Sequence, residues 1–161
     1  MSARSGIGYD SHRFDEGRSL ILGGVEIESD RGLAGHSDAD ALTHAVIDAL
    51  LGAAGLGDIG QHFPDTDERW RGADSLELLA EVCSFIEEHE WRVTHVDATV
   101  ICEAPKLGSY RDAMRFALAA KIGIAAREVN VKFTTNEGMG AIGRGEGIAA
   151  MAVATVETQE R

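Results

Sequence analysis

Ile148-Ala149-Ala150-Met151-Ala152-Val153-Ala154-Thr155-Val156 reads as a strand with apolar side chains on both faces. Successive side chains along a strand point to opposite sides of the sheet. Ile148, Ala150, Ala152, Ala154 and Val156 therefore share one face, and Ala149, Met151 and Val153 share the other. Both faces need cover. In a chain of 161 residues helices are expected to cover one of them, and a subunit interface the other.

Working outward, residues 5–14 read as a strand, and Leu20-Ile21-Leu22 and Val25-Glu26-Ile27 flank Gly23-Gly24 as a hairpin. Residues 93–103 alternate, with Val96, Ala98, Val100 and Cys102 on one side and His95, Asp97, Thr99 and Glu103 on the other; residues 129–135 read as a further strand. Helical periodicity runs over residues 38–56, with Leu42, Ala45, Val46, Ala49, Leu50 and Ala53 on the buried stripe. Ser37 is expected to cap this helix with Asp40 in the capping-box position, and Gly55 or Gly57 to end it. A second helix follows the capping signature Asp74-x-x-Glu77 and carries Leu79, Val82, Cys83 and Ile86; it is read as packing only. A third spans residues 109–122 and stops at Gly123. Residues 57–72 have no periodicity, and loops of that length are commonly functional. The pattern predicts an α+β fold: a single domain over residues 1–161 with a mixed β-sheet and helices packed on one face.

The composition, 44% hydrophobic and 26% charged, is that of a globular protein. The longest apolar runs are too short for a bilayer and the N-terminus lacks a targeting pattern, so no membrane partner is expected and the cytoplasm is the expected compartment, or an organelle after trimming. Cys83 and Cys102 lack ligand spacing and lie in apolar runs, which suits a reducing environment. A net charge of −12 without a Lys/Arg cluster argues against nucleic acid as a partner.

Chemistry enters with Gly8-Tyr9-Asp10-Ser11-His12 and His36-Ser37-Asp38-Ala39-Asp40-Ala41-Leu42-Thr43-His44. Asp10 and His12, two apart on a strand, project from one face. His44 lies off the buried stripe of its helix, on a face with Asp40, Ile47, Asp48 and Leu51. Alone, that face would read as solvated; beside Asp10 and His12 it offers a third ligand. Two His and one Asp suit a catalytic Zn²⁺ whose fourth position stays open for substrate.

Between the last two strands, Gly138, Gly140 and Gly143 match a dinucleotide fingerprint. The match is rejected, because the fingerprint needs a helix directly after the glycines and here a strand follows. Thr134, Thr135 and Glu137 are more informative: hydroxyls and free N–H groups grip phosphate, and one carboxylate suffices for Mg²⁺ that also takes phosphate and water ligands. Lys106 adds a positive charge after Pro105. His36 and Ser37 stand at a helix start, where orphan N–H groups favour an anion. His62, His89, His95, Tyr9, Trp70 and Trp91 are read as structural or surface residues.

Along nearly its whole length the chain resembles the 2-C-methyl-D-erythritol 2,4-cyclodiphosphate synthase family of the non-mevalonate isoprenoid pathway. The resemblance rests on the two motifs above, Leu56-Gly57-Asp58-Ile59-Gly60, Phe63-Pro64-Asp65-Thr66-Asp67, Ala104-Pro105-Lys106, Thr134-Thr135 with Glu137, and Gly143-Arg144-Gly145-Glu146-Gly147. It implies a lyase that turns 4-diphosphocytidyl-2-C-methyl-D-erythritol 2-phosphate into the cyclic diphosphate and CMP, the substrate's 2-phosphate attacking its β-phosphorus. By the same resemblance, Asp10, His12 and His44 bind Zn²⁺ holding the β-phosphate, and Glu137 binds Mg²⁺ or Mn²⁺ bridging the α- and β-phosphates. His36 and Thr135 stabilise the transition state. Asp58, Ile59, Gly60, Phe63, Pro64, Asp65, Thr66 and Asp67 hold the methylerythritol phosphate, and Ala104, Pro105, Lys106, Leu107 and Gly108 with Thr134 enclose the cytidine and its α-phosphate. Asp10, His12, Ser37, Asn136, Glu137 and Arg144 complete the implied substrate contacts. The resemblance further implies a homotrimer with its sheets around the three-fold axis and active sites between subunits. Asn136 and Ala141 depart from the family pattern, standing where a third threonine and a larger apolar residue are common. A zinc phosphohydrolase and a noncatalytic trimeric zinc-binding protein are the alternatives.

Overall fold

The computed structural model describes residues 2–159. Its elements are β1 (Ala3–Glu16), β2 (Leu20–Leu22), β3 (Val25–Ile27), β4 (Arg31–Leu33), α1 (Ala41–Ala54), α2 (Ile59–His62), α3 (Ser75–Glu88), β5 (Trp91–Ile101), α4 (Arg111–Ile122), β6 (Val129–Thr134), α5 (Gly140–Gly143) and β7 (Gly147–Thr158). The main sheet is five-stranded in the order β4-β1-β7-β5-β6, with β5 and β6 parallel and the other pairs antiparallel. The mixed sheet expected from the sequence is present, and β2 and β3 form the expected hairpin around Gly23-Gly24. β4 was not foreseen; three residues are too few to show an alternation.

Register explains how α1 sits on the sheet. Gly6 pairs with Ala154, Gly8 with Ala152 and Asp10 with Ala150, while Ala98 pairs with Ala152 from the other side. Paired residues share a face, so these small side chains form a floor under α1. The contact reaches backbone to backbone: a Cβ on Gly8 would stand 1.9 Å from the Ala45 carbonyl oxygen, and one on Gly6 2.2 Å from that of Ala49. The next residues on the same strand face are Asp10 and His12, which are thereby carried to the N-terminal half of α1 and His44.

α1 differs from the expected two-faced helix. Ile47 and Leu51, placed off its stripe, are as fully buried as Leu42 and Leu50, because α2 and α3 pack on the side away from the sheet. Its cap is Asp40, not Ser37. Asp40 is also no part of a solvated face. It is completely buried, and its carboxylate accepts from the Gly23 and Gly24 N–H groups at 2.8 and 2.7 Å and from the Thr43 N–H and hydroxyl at 2.9 and 2.7 Å. The helix start is thus tied to the β2–β3 turn. Asp48 accepts from the Ile59 N–H at 2.8 Å and fixes α2.

The remaining boundaries hold with local revisions. Asp74 caps α3 through the Leu76 N–H, but Glu77 does not close a capping box; it pairs with Lys121 of α4. The aperiodic stretch contains α2, capped reciprocally by Asp58 and Gln61, and a short turn of 3₁₀ helix at Glu68–Trp70. Gly123 ends α4 in the left-handed conformation. The sheet face away from α1 exposes Ile7 and Val153, which are paired, beside Tyr9 and Met151, also paired. Among the described residues no helix is long and apolar enough to cross a membrane.

Candidate metal centre and active site

Three side chains from two elements converge at one point. His12 Nε2 lies 2.7 Å from Asp10 Oδ2, His44 Nδ1 lies 3.1 Å from the same oxygen, and the two nitrogens are 3.4 Å apart. Two of these separations match the ~3.3 Å that bonds of about 2.0 Å impose between ligands of a tetrahedral ion. The shorter one is a proton-bridged imidazole–carboxylate contact. The donor set, one carboxylate oxygen and two imidazole nitrogens, fits Zn²⁺. Among the described residues, this is the one group of three or more His, Cys, Asp or Glu side chains whose ligand atoms gather within 4.8 Å.

Outer contacts orient both rings. His12 Nδ1 donates to the Ala34 carbonyl at 2.7 Å. His44 Nε2 faces the Ser75 hydroxyl at 2.8 Å and that of Ser37 at 3.1 Å. Burial by itself would raise the Asp10 carboxyl, but the adjacent His12 and His44 rings outweigh it and hold the group at about 2. Burial likewise disfavours a charged His12 ring, yet the Asp10 carboxylate prevails and raises its pKa above 6.5.

The cluster opens on a cleft of about 430 Å³ lined by His12, Gly35, His36, Ser37, His44, Ile59, Gly60, Phe63, Pro64, Asp65, Trp70 and Leu78. Of the residues expected to hold a methylerythritol phosphate, Ile59, Gly60, Phe63, Pro64 and Asp65 are brought together here, joined by His36 and Ser37. Asp58, Thr66 and Asp67 are not part of the lining. Asp58 caps α2, and Asp67 pairs with Arg69 at 2.6 Å while its carbonyl contacts His36 Nε2 at 3.0 Å.

A second cleft, at the ends of β5 and β6, is lined by Cys102, Pro105, Lys106, Leu107, Gly108, Ser109, Arg111, Phe133, Thr134 and Thr135. It gathers most of the expected nucleotide set; Ala104 precedes it in the chain without lining it. The clefts share no residue. Asn136 is engaged with Met139 and Glu103, Glu137 is exposed with positive φ, and Arg144 is paired with Glu146 at 2.6 Å.

Three contributors were missed in the sequence. Trp70 lines the first cleft, with its Nε1 buried and, among the described residues, without a hydrogen-bond partner, and its ring 5.0 Å from that of Phe63. Ser75 and Asp38 stand behind His44. α3, read as packing only, therefore reaches the centre through its first residue. Asp38 sits inside the His36–His44 motif, a signal that was available; Ser75, beside its own cap Asp74, offered none.

The YgbB family model matches residues 3–157. The chain is 56% identical over 153 residues to a 2-C-methyl-D-erythritol 2,4-cyclodiphosphate synthase of Alkaliphilus metalliredigens, covering 95% of this chain and 96% of that protein. The bifunctional IspDF of Campylobacter jejuni superposes with a TM-score of 0.95 at 40% identity, over 99% of this chain and 43% of that one. A 2C-methyl-D-erythritol-2,4-cyclodiphosphate synthase in a CDP-bound form superposes with a TM-score of 0.87 at 40% identity, over 96% of this chain and all of that one.

Proposed function

The chain belongs to the YgbB family, whose named relatives are 2-C-methyl-D-erythritol 2,4-cyclodiphosphate synthases, and on that premise we propose that it converts 4-diphosphocytidyl-2-C-methyl-D-erythritol 2-phosphate into the 2,4-cyclodiphosphate and CMP. A 2-phosphate oxygen of the substrate attacks the β-phosphorus in line. One P–O bond forms there as the bond from the β-phosphorus to the bridging oxygen breaks, and CMP leaves with that oxygen. No water is consumed. The protein contributes position and charge.

The observation that carries this reading is the convergence of Asp10, His12 and His44 at the wall of a cleft, a three-ligand set with room for a substrate oxygen. Asp10, His12 and His44 would hold a Zn²⁺ there, which would supply positive charge to a substrate phosphate. His36, anchored by its contact with the Asp67 carbonyl, lines the same cleft and stabilises the reacting phosphate from there. The Thr135 hydroxyl accepts the Glu137 N–H at 3.2 Å, which leaves its own proton for a phosphate oxygen. Glu137 would hold a Mg²⁺ or Mn²⁺, which would supply positive charge to the substrate diphosphate. Ile59, Phe63 and Leu78 keep water from the methylerythritol end. Lys106 and the neighbouring cleft take the cytidine and its α-phosphate, a role supported by the CDP-bound relative.

The complete site lies between subunits of a homotrimer. Two features support this. The backbone row Ser11–Ala149–Ile101–Thr134 crosses the sheet in register, and three inter-strand spacings make ~14 Å. That is too far for Thr135 and the Asp10–His12–His44 cluster of one chain to meet at a single diphosphate. The bare apolar face of Ile7, Tyr9, Met151 and Val153 supplies a surface for closure around a three-fold axis. The reading places the enzyme in the cytoplasm, which the unbridged Cys83 and Cys102 support.

The deciding experiment incubates purified protein with the cytidylylated substrate, Zn²⁺ and Mg²⁺ and follows products by phosphorus NMR. CMP with a cyclic diphosphate is expected. CMP with linear phosphates only would mark a phosphohydrolase instead, and no turnover would mark a binding protein.

A further inference from the structure

We propose that Ser75 is a positioning residue for the metal centre: together with Asp38 it fixes which nitrogen of His44 carries the proton, and so which one faces the metal. The inference rests on the reading that Asp10, His12 and His44 bind zinc.

The argument is one of hydrogen-bond polarity. An ionised carboxylate only accepts. Asp38 receives the Ser75 N–H at 3.0 Å, the Asp40 N–H at 3.1 Å and the Ser75 hydroxyl. A hydroxyl has one proton, and that of Ser75 is given to Asp38. Toward His44 Nε2, 2.8 Å away, the Ser75 oxygen is therefore an acceptor and is met by an N–H there, with the Ser37 hydroxyl oxygen a longer second contact at 3.1 Å. With a cation bound, Nδ1 then turns its lone pair to the position it shares with Asp10 Oδ2 and His12 Nε2. The opposite tautomer would set a lone pair of Nε2 against one of the Ser75 oxygen. Ser75 is completely buried, so water does not relieve that clash.

The relay also aims the ring. Ser75 is the first residue of α3, Asp38 precedes α1, and the Asp38 N–H donates to the Ala73 carbonyl at 3.1 Å. α3 thus holds the outer edge of His44 while α1 carries its backbone. A carboxylate behind a metal-binding imidazole raises its basicity and fixes its orientation; here a buried hydroxyl is interposed. His12 gets the same service from a backbone carbonyl, Ala34.

The test uses nitrogen-15 NMR of the zinc-loaded protein, with zinc affinity measured by chelator competition for wild type, Ser75→Ala, Asp38→Asn and His44→Ala. In wild type the His44 proton is expected on Nε2, with Nδ1 showing the metal-bound shift. Ser75→Ala is expected to weaken zinc about 10–100-fold. Asp38→Asn is expected to do likewise, because an amide donates to Ser75 and turns the Ser75 proton toward His44. A wild-type His44 bonded to zinc through Nε2 overturns the proposal without reference to any variant, and covers the case in which Ser75→Ala fails to fold. So does a folded Ser75→Ala protein with wild-type affinity and tautomer. If wild type binds no zinc, or His44→Ala binds it as tightly, the zinc reading itself has failed.

Discussion

Gly8 of β1 and Ala45 of α1 are in backbone contact, so close that a methyl group on Gly8 would stand 1.9 Å from the Ala45 carbonyl oxygen. The glycine of Gly8-Tyr9-Asp10-Ser11-His12 is thereby joined to the function of the motif. It lets the helix bearing His44 come down onto the strand bearing Asp10 and His12.

Gly8→Ala is expected to lift α1 from the sheet. Overpacking of this kind costs about 1–3 kcal/mol, and more where the clash is with backbone. Thermal unfolding should shift down by several degrees, and zinc per chain should fall with it, because His44 moves relative to its partners. An unchanged melting temperature would show that α1 does not rest where the structure places it.

Zinc should bind at about one equivalent per chain, and His44→Ala should lose it while keeping the fold. Affinity should follow pH in a defined direction. The raised pKa of His12 means that a proton competes for the site, so zinc binding weakens as pH falls below that value. In zinc-free protein the same group contributes stability that is full below about 6.5 and is lost as pH rises through its folded pKa. Asp10 contributes stability present above 3.8 and lost as pH falls toward about 2. Chelator competition and melts of zinc-free protein across this range check both signs.

Glu137→Gln keeps the shape of the side chain and removes its charge. Turnover at limiting Mg²⁺ should drop while zinc content stays unchanged, since Glu137 lies outside the Asp10–His12–His44 cluster. Wild-type turnover under those conditions would remove Glu137 from the second metal site.

His44→Ala and Lys106→Ala alter separate clefts. If each variant is inactive alone, refolding equal amounts together should restore activity at roughly a quarter of the sites, by random assortment around a closed ring of three. A mixture of His44→Ala and Asp10→Ala should stay inactive. Mixed trimers seen by native mass spectrometry without recovered activity would place both halves within one chain.

What the sequence determined by itself was whatever depends on short-range periodicity. The two-residue period of a strand puts Asp10 and His12 on one face, and the alternation of Val96, Ala98 and Val100 matches their burial in β5. The double-faced β7 is apolar on both sides, with one side under α1 and the other exposing Met151 and Val153. Tertiary structure decided what depends on which distant element arrives. The stripe on α1 could not announce that Ile47 and Leu51 would be buried as well, because α2 and α3 supply that cover from beyond the helix. Asp40 has the pattern of an exposed helix residue, and only the return of the Gly23-Gly24 turn supplies the donors that let a carboxylate be buried. Ser75 and Trp70 reach the centre for the same reason. Hydrogen-bond partners and cleft walls are chosen by packing between segments tens of residues apart, and no local period records that choice.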